Sequence, residues 1–135
     1  MKLANFNYKI YEQTGCLQDL EAAIIYAEAA VEATPENHPD RAGRLNKLGS
    51  MLFRRYKQTG ELQDVEAAIV HIEAVLEATP EDHHDKAGWL NNLGIMLRSR
   101  YERTGNLQDL EVSIVHAKAA VEATPGDHPN KAGYL

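Results

Sequence analysis

Residues 59–80 read TGELQDVEAAIVHIEAVLEATP. The same stretch occurs twice more, as TGCLQDLEAAIIYAEAAVEATP at 14–35 and TGNLQDLEVSIVHAKAAVEATP at 104–125. Its glycines, Gly15, Gly60 and Gly105, and its prolines, Pro35, Pro80 and Pro125, advance by a constant step of 45 residues. A fixed period of about 20–50 residues marks a repeat array, in which each unit buries its apolar face against its neighbours. The chain is therefore read as a stack of equivalent units.

Working outward, the stretch is preceded by Leu45, Leu48, Leu52 and Tyr56, which recur at the three- and four-residue steps of a helical stripe. This predicts a helix A over about 39–58. Pro39 suits its first turn, where a missing N–H costs nothing, with Asn37 or His38 as cap. Gly60 ends it, because glycine tolerates the left-handed conformation just past a helix. Leu62, Val65, Ala68, Ile69, Ile72, Val75 and Leu76 form a second stripe, a helix B over about 61–78. Thr79 stops it, since a residue before proline is pushed out of helical geometry. Helix A returns at about 84–103, with Leu90, Leu93, Gly94, Leu97 and Tyr101, and helix B at about 106–123. Aligned on the glycines, residues 1–13 match only the second half of a helix A, with Leu3 opposite Leu48. HPNKAGYL at 128–135 matches only its opening half, with Leu135 opposite Leu90. The expected fold is an all-α solenoid of stacked antiparallel helix pairs, about six helices plus a C-terminal half-helix. One domain over 1–135 is expected, with repeats at about 1–38, 39–83 and 84–128 and a partial unit at 129–135.

Charge narrows the function classes. The 14 Lys and Arg against 20 Asp and Glu give a net charge of −6. Nucleic acids and anionic membranes require a basic face, so neither is the expected partner. Cys16 is the only cysteine, which excludes an intrachain disulfide and fits a reducing compartment. No apolar run reaches the length of a membrane span, and the start MKLANFNYKI lacks the apolar centre of a signal peptide. A cytoplasmic location is expected.

The unit L-x-x-L-G-x-x-x-x-x-x-Y-x-x-T-G…A-I-x-x-x-x-x-A-V…P resembles a tetratricopeptide repeat. Leu45, Leu48 and Gly49 match the landmarks of its first helix, and Leu52 takes its aromatic place. Gly60 matches its turn glycine, Ala68 its close-packing alanine and Pro80 its terminal proline. The strings LNNLG, RYERTG, LQDLE and ATPGDHPNKAG look like the long-period variety found in fungal proteins, strung beside NTPase or caspase-like (CHAT) domains. At the N-terminus the pattern departs: Met1 and Ala4 stand where Asn and Gly are expected. The resemblance implies a right-handed solenoid with a concave groove lined by the A helices. It implies a non-enzymatic scaffold for a protein or peptide partner, with no cofactor.

Individual residues divide between packing and recognition. Gly49 and Gly94, with Ala4 in the same place, let helices A and B approach, and Ala23, Ala68 and Ser113 face them. Asn46, Asn91 and Asn92 flank the apolar stripe of helix A, where an amide can bond a peptide backbone as donor and acceptor. The same face continues through Ser50, Phe53, Arg54 and Lys57, and through Ile95, Arg98, Ser99 and Glu102, with Asn5, Tyr8 and Lys9 ahead of them. This mixture suits an extended acidic or polar peptide; the competing reading is a solvated face with inter-repeat bonds. Arg55 beside Tyr56, and Arg100 beside Tyr101, are expected to pack, each arginine bonding a neighbouring helix or a glutamate of helix B. His38-Pro39-Asp40 resembles the loop signature of J-domain co-chaperones, but its recurrence at each helix start marks a capping device. His83-His84 lacks further evident ligands, so no metal is expected. The carboxylates Asp19, Glu21, Asp64, Glu66, Asp109 and Glu111 sit in the first turns of the B helices, where the helix dipole favours them. No nucleophile–base set or phosphate loop is present, and no enzyme activity is expected.

Two functions compete. In the first, Asn46, Ser50, Phe53, Arg54, Asn91, Ile95 and Arg98 hold a partner segment on the concave face. In the second, the half-helices at the two ends, marked by Leu3, Phe6, Tyr134 and Leu135, complete one another between copies and build a homo-oligomer.

Overall fold

A computed structural model describes residues 1–123. These form six α-helices: α1 (Lys2–Thr14), α2 (Leu17–Glu32), α3 (Arg41–Thr59), α4 (Leu62–Ala78), α5 (Lys86–Thr104) and α6 (Leu107–Ala123). No strand occurs among the described residues. The all-α, helix-pair class expected from the stripes is what forms. Backbone packing separates Met1–His71 from Ile72–Leu135, a division that falls inside α4.

In the first unit, α1 packs on α2 and α2 on α3. The reversal from α1 to α2 turns on Gly15, at φ 68°, whose N–H donates to the Tyr11 carbonyl at 2.7 Å. Gly60 repeats this at φ 79°, donating to Tyr56 at 2.7 Å. A side chain at either φ would strain the backbone, so glycine is required there. The threonine before each glycine completes the turn: the Cys16 N–H donates to Thr14 Oγ1 (3.1 Å) and the Glu61 N–H to Thr59 Oγ1 (3.2 Å). The core holds the predicted stripe of α3, Leu45, Leu48, Leu52 and Tyr56, joined by Met51, against Leu20, Ile24, Ala27 and Val31 of α2. Ala4 and Ala23 are both fully buried, as close helix approach requires.

The end of α2 is closed by its successor. Arg41 donates through Nη1 to the carbonyls of Val31 (3.2 Å) and Thr34 (2.6 Å), and Arg44 donates to Thr34 Oγ1 (2.6 Å). The Thr34 hydroxyl donates back to the Ala30 carbonyl at 2.6 Å. Two guanidinium groups thus satisfy or flank acceptors left over at the negative end of the helix dipole.

Helix A begins later than the sequence suggests. It starts at Arg41 and Lys86 rather than near 39 and 84. The Asp40 N–H donates to His38 Nδ1 (3.0 Å) and the Arg41 N–H to the His38 carbonyl (3.1 Å), so 38–41 form a turn of their own. His83 and Asp85 repeat it, at 3.1 Å. The histidine ring is the acceptor, and Pro39 lies before the helix rather than in its first turn.

In the second unit, α5 and α6 pair across Gly105, at φ 76°. Leu90, Leu93, Met96 and Leu97 are buried, as are Ile72 and Val75 in the adjoining part of α4. Gly94 has no room to spare: an added Cβ would stand 3.3 Å from the Ser113 carbonyl oxygen and 3.8 Å from the Ala117 nitrogen. The Thr79 hydroxyl donates to the Val75 carbonyl, and Lys86 Nζ donates to Glu81 Oε1 at 2.8 Å. The half-helix expected at 129–135, with Tyr134 and Leu135, lies outside the described residues.

Two glycines of α5 should therefore respond in opposite directions. Around Gly88 nothing lies within 4 Å of an added Cβ. Gly88→Ala is expected to stabilise by about 0.5–1 kcal/mol, the helix-propensity difference. Gly94→Val should destabilise by about 1–3 kcal/mol, because it overpacks a backbone contact. Urea denaturation of the two variants reads both signs.

Candidate functional site

Successive A helices of the first unit meet through polar side chains. Lys47 Nζ lies 3.5 Å from Asn5 Oδ1, and the Tyr11 hydroxyl donates to Gln58 Oε1 at 2.8 Å. Between them Tyr8 of α1 acts on the Arg54 guanidinium and raises its pKa. The ladder arises because residues 5, 8 and 11–12 of α1 and 47, 54 and 58 of α3 recur at helical spacing along two facing elements. Beside it, Phe53 stacks with Tyr56 (centroids 6.1 Å apart), and Lys57 Nζ stands 5.6 Å from the Phe53 ring centroid. A cation over an aromatic face is attracted by the ring quadrupole.

The residues proposed for recognition fall into two groups. On α3, Asn46, Ser50 and Phe53 are half-buried and Arg54 is exposed. Their spacing of four, three and one residues places them along one side of the helix. On α5, Asn91 is half-buried and Ile95 and Arg98 are exposed, again four and three residues apart. Arg98 Nε pairs with Glu102 Oε1 at 3.6 Å, one turn on, with both side chains largely in solvent. In the α3 group Phe53 stacks within its own helix and Arg54 feels Tyr8 of α1, whereas the α5 group presents an aliphatic side chain and an exposed ion pair.

A second set of polar contacts lies at the A-to-B reversals. Arg55 makes two parallel bonds to Asp64, Nε to Oδ2 and Nη2 to Oδ1, each 2.9 Å. Arg100 and Asp109 reproduce both distances. Asp64 and Asp109 are buried, so these forks combine charge with geometric fit. Of the two expected partners, the neighbouring helix or a helix-B glutamate, the arginine takes the first: the acceptor is the aspartate in the first turn of the following helix. Arg-Tyr-x-x-Thr-Gly-x-Leu-Gln-Asp, present in both repeats, is the signal that would have identified it. In the first hairpin Ile10 occupies the arginine's place, and Asp19 Oδ2 accepts from the Thr14 hydroxyl instead (3.1 Å).

Histidine placement is also resolved. His83, His84 and Asp85 bring three potential metal-ligand atoms within 4.8 Å, one carboxylate more than the two histidines considered from sequence. The imidazoles stack with centroids 4.6 Å apart and planes 16° apart, so their in-plane lone pairs run side by side rather than converge. His83 also stacks on Trp89, at 5.1 Å, and its Nδ1 already accepts the Asp85 amide. The cluster shapes a loop. On the B helices, burial pushes the His71 imidazole below its ordinary value, opposed by Glu28 and assisted by Arg41. Burial likewise lowers His116, opposed by Glu73.

Residues 87–130 match the family model of the tetratricopeptide repeat, a repeat that generally mediates protein–protein interaction. The match supports a tetratricopeptide-repeat array. No curated protein and no solved structure matches the chain. Among the described residues no helix is long and apolar enough to cross a membrane.

The forks should matter more than the surface pair. Asp109→Ala removes both bonds to Arg100 and should cost about 1.5–3 kcal/mol in urea denaturation. Glu102→Gln, which breaks an exposed pair, should change stability by less than about 1 kcal/mol. For His71 and His116 the folded pKa lies below the unfolded value near 6.5, so the unfolded state binds more protons in that window. Stability should then be fully present above about 6.5 and decline as pH falls from there toward the folded values. Urea midpoints measured across this range should fall less steeply in a His71→Gln, His116→Gln double variant.

Proposed function

We propose that the chain is a non-enzymatic interaction scaffold whose A helices form a concave face for an extended acidic or polar peptide. The observation that carries this is Arg54. Its side chain is exposed on helix A, one residue from Phe53, over which Lys57 stands. A guanidinium presents a planar fork of donors that matches a carboxylate, which favours affinity. Lys57 over Phe53 adds a second cation beside it, and Asn46 and Ser50 supply backbone-directed donors and acceptors. On α5, Asn91 and Arg98 repeat the amide and the cation, and Ile95 offers an apolar contact. The resemblance to long repeats of fungal proteins with NTPase or CHAT domains suggests a setting, a cytoplasmic array that gathers a partner for such a domain.

The test is titration of a fluorescently labelled, Glu- and Ser-rich peptide, read by anisotropy. Arg54→Ala and Arg98→Ala should each weaken binding about fivefold, about 1 kcal/mol. Added salt should weaken it further, because exposed charges are screened. Unchanged affinity in an Asn46→Ala, Asn91→Ala double variant and in Arg54→Ala would remove this face from the binding site.

A further inference from the structure

Helix α3 carries charge of one sign. It holds Arg41, Arg44, Lys47, Arg54, Arg55 and Lys57 and no aspartate or glutamate, in a chain whose net charge is −6. Three of these cations are committed: Arg41 and Arg44 close the end of α2, and Arg55 is held by Asp64. The other three, Lys47, Arg54 and Lys57, are exposed. Steps of seven and three residues put them on one side of the helix, with half-buried Ser50 between the first two. None of the three forms an ion pair among the described residues. Lys47 faces the uncharged Asn5 at 3.5 Å. Lys57 Nζ stands 5.6 Å from the Phe53 ring centroid, a contact that places the ammonium without neutralising it. Arg54 is acted on first by Tyr8 and last by the Glu12 carboxylate of α1.

The same side of α5 is different. One repeat on, Lys47, Arg54 and Lys57 become Asn92, Ser99 and Glu102. The nearby cation Arg98 is already paired with Glu102, at 3.6 Å. Between these two helices, uncompensated positive charge belongs to α3 and is no part of the repeat pattern. Like charges three residues apart on a helix repel one another. Arg54 and Lys57 keep that arrangement about 4.5 Å apart along the axis, and Lys47 stands about 10.5 Å before Arg54. A carboxylate brings one charge to such a pair. A phosphate monoester brings about −1.5 to −2 near neutral pH and three acceptor oxygens, enough for a guanidinium fork and an ammonium at once. An extended chain advances about 3.3 Å per residue, so an acid three residues from the phosphate falls about 10 Å away, close to the distance to Lys47.

We propose that the segment held on this face is phosphorylated: its phosphoserine or phosphothreonine sits between Arg54 and Lys57, and a carboxylate three residues away meets Lys47. This rests on the peptide-binding reading above and names the group that reading leaves open. Ser50, between the two anchoring points, is placed to bond the intervening peptide backbone. The phosphorylation state of the partner then controls binding.

The test uses three labelled forms of the Glu- and Ser-rich peptide, read by anisotropy at fixed salt. They carry serine, glutamate or phosphoserine at one position, and a glutamate three residues away. Near neutral pH the phosphorylated form should bind about tenfold more tightly than the glutamate form. Lowering the pH through the second phosphate pKa, about 6, should remove most of this preference, while the glutamate form holds because its side chain titrates near about 4.3. Lys57→Ala should cut the preference to about twofold or less, and Lys57→Arg should retain it. Lys47→Ala should weaken the phosphorylated and glutamate forms alike, and should cost nothing further against a peptide whose second glutamate is glutamine. All three positions are exposed, and circular dichroism checks that each variant is folded; Lys57→Gln and Lys47→Gln replace any that is not. A phosphorylated form no tighter than the glutamate form would overturn the proposal and leave the acidic-peptide reading standing, whereas failure of every form to bind would remove both. A preference surviving Arg54→Ala and Lys57→Ala together would also overturn it, since the phosphate then binds elsewhere. So would displacement by a short oligothymidylate of equal charge as effective as that by unlabelled phosphopeptide, the mark of a surface open to any polyanion.

Discussion

The Thr–Gly reversal between paired helices constrains every other contact, because a two-residue connection leaves the following helix almost no freedom of direction. Gly15, Gly60 and Gly105 all take positive φ, between 68° and 79°, and each donates its N–H to a tyrosine carbonyl at 2.7 Å. The preceding threonine hydroxyl accepts from the first residue after the glycine. Once the direction is set, small residues decide how close the helices lie. Gly94 against the Ser113 backbone is the tightest such point described. Only then can the aliphatic stripes interdigitate, which is where burial stabilises the hairpin by about 25 cal/mol per Å² of apolar surface.

The Arg–Asp fork is built on that reversal. Arg55 and Asp64 are nine residues apart, and Arg100 and Asp109 likewise, and both forks close at 2.9 Å. Such a bidentate fit tolerates little rotation of one helix against the other. The fork therefore fixes the azimuth of helix B as the glycine fixes its direction. The first hairpin does without it, since Ile10 replaces the arginine, and Asp19 is left with a single exposed bond from Thr14. That hairpin depends correspondingly more on its apolar contacts and on the Tyr11–Gln58 bond to α3.

Much of this was legible in the chain because repetition made it so. Glycine at a constant step, aliphatic residues at three and four, and Thr-Pro at each helix-B end are local signals with local causes, and the helices form where they point. What escaped was chemistry decided by geometry in space. The histidine of His-Pro-Asp could be assigned to a helix start but not recognised as the acceptor of the Asp40 amide, which displaces the start to Arg41. For the arginines the sequence points to the neighbouring helix or a helix-B glutamate, but only the geometry singles out the first-turn aspartate. Leu3 is exposed and Leu48 buried, a contrast invisible to a pattern that gives both the same letter in the same place. Of the candidate recognition residues, their placement on helix A follows from spacing, but the action of Tyr8 on Arg54 does not.

The bonds already made on the A-helix face bear on what it can recognise. In the first unit two of its polar pairs are engaged with one another, Lys47 with Asn5 and Gln58 with Tyr11. A ligand that merely replaced these bonds would gain little, since exchanging one hydrogen bond for another contributes little net energy. A carboxylate is different. It would add a charge-assisted acceptor to an exposed guanidinium, a group that carries five donors. The acidic partner proposed above draws on Arg54 together with Lys57 beside it on the same helix.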